Sequence, residues 1–183
     1  FKQLFLSLQG EGCLDRCLAR NPGTPVWALE KLSESEDDWT ILGVAGNADT
    51  PLSVLERLAN HKASPVRSKV AIDVAKNVNT PVQLLEKLAE DKSSFVVTSL
   101  LINETKIPAS VLSKLVDHKD QDVRRGVALN PNTPLPLLEL LADDDDINVR
   151  GGVGLNESTP VSLLEKLVSD ESEFVRKCVA GRD

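Results

Sequence analysis

The sequence predicts an all-α protein, an α-solenoid of about six stacked helical repeats of about 26 residues. Three observations predict it. Prolines at 25, 51, 81, 108, 134 and 160 lie 26, 30, 27, 26 and 26 residues apart. A leucine stands four residues after each of them (Leu29, Leu55, Leu85, Leu112, Leu138, Leu164) and another three further on (Leu32, Leu58, Leu88, Leu115, Leu141, Leu167). Between these leucines come Glu and Lys or Arg, as in Glu86-Lys87 and Glu165-Lys166, the residues of a wet helical face. Self-similarity at a fixed period of this size marks a repeat array, in which a unit too small to bury its own leucines buries them against its neighbours.

The elements follow in order. Phe1, Leu4, Phe5 and Leu8 share one helical stripe, so residues 1–13 are expected to form an N-terminal capping helix; no apolar core or cleavage site of a signal peptide is evident there. Residues 14–183 are expected to form the solenoid, which ends in "VRKCVAGRD", partway into a seventh repeat. Each period is expected to hold a short helix, an Asn stop, a Thr-Pro start, a longer helix and an acidic turn. "VRSKVAID", "VRRGVALN" and "VRGGVGLN" are the short helices, with Val123 and Val127 on one face. Asn21, Asn47, Asn77, Asn130 and Asn156, with Asn103 in the fourth copy, are expected to end them in the left-handed region.

Thr24, Thr50, Thr80, Thr133 and Thr159 then stand where N-caps belong, with Pro at the first helical position; the fourth copy has Ile107-Pro108 instead. In the longer helix, positions one, four and seven after the proline form the expected buried stripe: Leu135, Leu138 and Leu141 in the fifth copy. The third copy carries four extra residues, about one helical turn. Asp143 to Asp146 read as a solvated turn, because they lack the alternating oxygens around a glycine that a calcium loop needs.

Composition narrows the function. The 183 residues carry a net charge of -7 and a pI near 4.9, which disfavours nucleic acid and anionic membrane as partners. With no Tyr and no Met the core must be aliphatic, and no apolar run approaches a membrane span. Three cysteines, an odd count, suit a reducing compartment, so a cytoplasmic location is expected. No nucleophile–base pair stands out, and His61 and His118 fall in equivalent turns, as surface residues. Arg67, Arg124, Arg150 and Arg176 form a column, with Val97 in the fourth copy. The expected role is a structural ladder against acidic turns or helix carbonyls; an anion-binding stripe is the alternative.

The unit "VRxxVAxNxxTPxxxLxxLxxD", clearest in Val123–Asp143 and Val149–Asp170, resembles the leucine-rich repeat variant family, and more loosely short HEAT-like repeats. The resemblance extends over residues 14–183, with departures in the third and fourth copies. It implies a right-handed solenoid of alternating α- and short 3₁₀-type helices without β-strands. The family's founding architecture also carries an iron–sulfur module, which needs about four thiolates. This sequence has Cys13 and Cys17 one turn apart, and Cys178 far away. Packing cysteines and no cofactor are therefore expected, with Cys13 and Cys17 as weak metal candidates and an iron–sulfur remnant as the alternative.

Everything that repeats is explained by folding, so specificity belongs to what varies. The expected function is a non-catalytic scaffold that binds another protein through Trp27, Gln83, Ser110, Pro136 and Ser162, each two residues after one of these prolines. Trp27 also has a packing role available, under the N-terminal helix. A HEAT-like nucleic-acid-binding protein is the alternative, and it would need a basic groove and stacking aromatics.

Overall fold

The computed structural model describes residues 12–76, 80–102 and 107–181. The expected capping helix at 1–13 lies outside them, apart from Gly12 and Cys13, as do Asn77 and Asn103. The described residues form thirteen α-helices and no strand. Two compact units divide the chain, residues 1–80 and 81–183. The first holds α1 (Gly12–Arg20), α2 (Val26–Leu32), α3 (Asp38–Ala45), α4 (Leu52–Leu58) and α5 (Ser64–Lys76). The second holds α6 (Val82–Ala89), α7 (Ser94–Leu100), α8 (Ala109–Leu115), α9 (Gln121–Leu129), α10 (Leu135–Leu141), α11 (Ile147–Leu155), α12 (Val161–Leu167) and α13 (Glu173–Ala180). Each is an α-solenoid in which proline-led helices alternate with helices of the valine–arginine type.

The relative lengths differ from expectation. The valine–arginine helices are α-helical and run to 9 residues in α9 and α11, whereas the proline-led α10 and α12 stop after 7. The proline-led helix ends early because its last bonds tighten: the Asp143 and Asp144 amides donate to Leu140 and Leu141, three residues back. The four extra residues of the third copy extend α5 to 13 residues.

The threonines do a different job from the one expected. Proline itself is the N-cap, with extended ψ, and no side chain caps the proline-led helices. Each threonine hydroxyl donates backward to a carbonyl six residues earlier: Thr24 to Leu18 at 2.7 Å, Thr50 to Val44 at 2.6 Å, Thr80 to Val74 at 2.7 Å, Thr133 to Val127 at 2.5 Å and Thr159 to Val153 at 2.7 Å. It therefore adds a second donor to a carbonyl of the helix that ends, since those of Leu18, Val44, Val127 and Val153 also accept the amide three residues on. It does not cap an amide of the helix that begins. Ile107 fills the same place with a buried apolar side chain.

The asparagines also differ. Asn130 and Asn156 are extended, with ψ of 128° and 121°, not left-handed. Their value lies in the side chain. Asn156 Nδ2 donates to the carbonyls of Ala128 and Asn130 in the preceding period, at 2.6 and 2.8 Å, and its Oδ1 accepts the Ser158 amide. Asn47 repeats this in the first unit, with Ala19 and Asn21 as acceptors and the Asp49 amide as donor. These are buried bonds that knit one helix end to the next.

The buried stripe of the proline-led helices is shifted. Leu138 and Leu141 are buried as expected, but Leu135 is 44% exposed, as are its equivalents Val26, Val82 and Val161 to varying degrees. The position three after the proline takes its place, as Val54, Leu84, Val111 and Leu163 show. The valine–arginine helices bury Val123, Val127, Val149 and Val153 completely. They stack closely because small residues face each other: a Cβ on Gly43 would lie 2.8 Å from that of Ala19, and one on Gly152 3.0 Å from that of Ala128.

Candidate functional site

The arginine column is a ladder. Arg124 Nη1 donates to the His118 carbonyl at 2.9 Å, ahead of its own helix. Its Nε and Nη2 donate to the two carboxylate oxygens of Asp144, in the next turn, at 2.7 and 2.9 Å. Arg150 does the same: Nη1 donates to the Asp144 and Asp145 carbonyls, and Nε and Nη2 to Asp170 at 2.8 and 3.1 Å. Asp144 is thus used twice, by Arg124 through its side chain and by Arg150 through its main chain. Arg67 Nη1 donates to the His61 and Lys62 carbonyls, and Arg176 Nη1 to those of Asp170 and Glu171. The bidentate geometry is the strong form of a charged hydrogen bond. Hydrogen bonds donated to Asp170 and Asp144 raise the pKa of Arg150 and Arg124 above its ordinary value. The Arg150 hydrogen bond, opposed by burial, holds the Asp170 carboxyl below the usual range. Burial pushes Asp144 up, but hydrogen bonds from Arg124 and the Asp146 amide outweigh it, so it too is lowered.

The acidic run is therefore not one solvated turn. Asp143 pairs with Lys166 at 2.6 Å, Asp144 is the node just described, and Asp146 caps α11 by accepting the Asn148 and Val149 amides. Only Asp145 is left simply exposed, lending its carbonyl.

A second column went unseen in the sequence. Ser35, His61, Asp91, His118, Asp144 and Asp170 all accept the amide two residues onward, at 2.8 to 3.2 Å. The arginine position of the preceding period predicts which residue stands there. Arg124 and Arg150 precede Asp144 and Asp170, whereas buried Ile41 and Val97 precede His61 and His118. With no arginine fork to face, an imidazole accepting at Nδ1 makes the turn in place of a carboxylate. The signal was a correlation between columns, which reading one column at a time hides.

The expected partner-binding residues do not converge on a cavity. Gln83, Ser110, Pro136 and Ser162 are exposed, one per period, in the first turns of α6, α8, α10 and α12. Beside them run Val82, Ala109, Leu135 and Val161, also exposed. Trp27 is half-buried in α2. Trp39, in contrast, is 57% exposed, and Phe95 and Phe174 occupy the same place in their periods, two residues before the arginine column. Phe174 closes over Gly151, where a Cβ would meet its ring at 2.8 Å.

Cys13 and Cys17 are exposed on α1, and Cys178 is buried, its thiol pushed up by that burial. Among the described residues no group of three or more His, Cys, Asp or Glu is placed to hold a metal. Two thiols on one helix do not fit a cluster that needs about four ligands. No helix among the described residues is long and apolar enough to cross a membrane.

No curated protein matches the sequence. Among solved structures the chain is similar to one described as a leucine-rich repeat variant with a novel repetitive protein structural motif, at 24% identity over 87% of this chain and 72% of that one, with a TM-score of 0.49. It is also similar to a crystal structure of an engineered protein, at 17% identity over 98% and 93%, with a TM-score of 0.43. Residues 122–146, which span α9 and α10, match the sequence model of the family described as Leucine rich repeat variant. That stretch is thus a leucine-rich repeat variant unit, of the family whose repeat the sequence resembles along its length.

Proposed function

We propose that the chain is a non-catalytic scaffold that binds another protein along the first turns of its proline-led helices. One observation carries this reading. In the second unit Val82, Ala109, Leu135 and Val161 are exposed in a row, beside the variable Gln83, Ser110, Pro136 and Ser162. An exposed apolar side chain repeated once per period is unlike the arginine, asparagine and threonine columns, which the fold consumes. Rows of this kind on repeat proteins suit extended partners.

The test replaces Val82, Leu135 and Val161 together with Glu and compares the proteins that the parent and the variant retain. The variant is expected to keep its melting temperature and to lose the specific partner. Retention of the same partner by a folded variant would contradict the proposal. Salt-sensitive retention of DNA by the parent near physiological ionic strength would favour the nucleic-acid reading instead.

A further inference from the structure

Trp39 is 57% exposed, and no hydrogen bond, ring contact or ion pair engages its side chain among the described residues. Its column holds Phe95 and Phe174 but also Pro65, Asp122 and Asn148, so stacking between periods does not require a ring there. The indole lines a cleft of about 260 Å³ between α3 and α5. Leu42, Ala63, Pro65 and Val66 supply its apolar lining, and Asp38 brings a carboxylate to it. A large exposed ring beside an apolar cleft is the kind of anchor on which binding energy concentrates.

The charge beside the cleft is negative. Glu34, Glu36, Asp37 and Asp38 precede the ring in the chain. Two of them are already engaged: Lys31 holds Glu34 at 2.9 Å, and the Arg16 fork holds Asp37 at 2.9 and 2.7 Å. Glu36 is exposed and has no cation in reach among the described residues. Asp38, its side chain 52% exposed, faces only His61 Nε2, at 3.8 Å, beyond hydrogen-bond distance. These carboxylates repel a phosphate, whereas a cation on the face of the ring has Asp38 beside it.

We propose that this cleft is a docking site for an extended segment of another protein that carries an apolar residue and, two residues on, an arginine. Side chains two apart lie on the same side of an extended chain, about 7 Å from one another. The apolar one enters the cleft while the guanidinium spreads over Trp39 and reaches Asp38. Arginine suits the place better than lysine, because its planar group stacks on a ring and forks a carboxylate. The site lies in the first unit and draws on nothing in the row of Val82, Leu135 and Val161, so either proposal can fail alone.

The experiment titrates the peptide acetyl-Leu-Ser-Arg-amide into the full chain carrying Trp27→Phe, in which Trp39 is the remaining tryptophan. A saturable change in its emission is expected, with Kd at or below about 1 mM. Calorimetric titration of the parent chain should give the same Kd. Citrulline in place of the peptide's arginine keeps the shape and removes the charge, and should weaken binding about fivefold or more. Asp38→Asn should weaken it to a similar degree, with Tm unchanged. Glycine in place of the leucine should abolish saturation. No saturable binding up to about 10 mM, or equal affinity for the citrulline peptide, would overturn the proposal without recourse to any variant of the cleft. Tighter binding of oligothymidine than of the peptide would make single-stranded nucleic acid the occupant and overturn it as well.

Discussion

Arg150 and Asp170 meet as fork and carboxylate, Nε to Oδ2 at 2.8 Å and Nη2 to Oδ1 at 3.1 Å, with both side chains 9% exposed. The two residues belong to successive periods. Because Arg150 Nη1 also holds the Asp144 carbonyl at 2.8 Å, one side chain ties the turn before its helix to the turn of the next period. Arg124 and Asp144 repeat the arrangement one period earlier. Surface pairs such as Lys166–Asp143 run the opposite way, from a later cation back to an earlier carboxylate, and because solvent screens them they contribute little.

Acid should weaken this ladder. Asp144 and Asp170 are held below the ordinary carboxylate range in the fold, while an unfolded Asp titrates near about 3.9. Above that value both states are ionised and the full contribution is present. As pH falls through it toward the lowered native values, the unfolded chain takes up protons first and stability is lost. Thermal melts across pH should therefore be flat between about 7 and 5 and fall below about 4. Arg124→Ala with Arg150→Ala should flatten the acid slope; Asp37 and Asp120, also lowered, leave a residual one. An unchanged slope in that variant would count against the ladder.

Thr133 separates two roles. Thr133→Val removes one of the two donors to the Val127 carbonyl, the Asn130 amide remaining, and should cost about 1 kcal/mol in urea unfolding. Thr133→Ser should recover most of it. Thr133→Asp, which an N-cap position would welcome, should be worse than Val, because a carboxylate cannot donate to a carbonyl. An aspartate variant as stable as the parent would restore the N-cap role.

Asn156→Ala removes two donated bonds and one accepted bond at a buried site. A loss of about 2–3 kcal/mol is expected, with faster hydrogen exchange at the Ser158 amide. A loss no larger than that of an exposed substitution would show that the asparagine only ends its helix.

Leu138 and Leu135 test the register. Leu138→Ala should cost about 2–5 kcal/mol, because the side chain is fully buried. Leu135→Ala should stay within about 0.5 kcal/mol, because nearly half of that side chain is already in water. Equal losses would mean that the stripe runs through positions one, four and seven after the proline.

The period, the helix order and the two leucine rows were legible in the sequence, because burial repeats with the chain. The role of Thr133 was not. Thr-Pro before a helix looks the same whether the hydroxyl accepts forward or donates backward, and only the position of the Val127 carbonyl decides. Leu135 misled for a related reason: a spacing of three and four residues allows two neighbouring stripes, and packing between periods chooses one. Asp144 was hidden in a run of four identical residues whose members do different things. Among the site residues, Gln83 and Ser162 are exposed as their variability suggests, whereas exposed Trp39 drew no notice because its column holds Asp and Asn in other periods.

The central claim is that successive periods are held together by specific pairs and not by apolar stacking alone. A double-mutant cycle on Arg150→Ala and Asp170→Ala, read by chemical denaturation, tests it most directly. Each single variant should cost about 3 kcal/mol by leaving a buried charge unpaired. The two should couple by at least about 1.5 kcal/mol. A coupling within about 0.3 kcal/mol of zero would contradict the account.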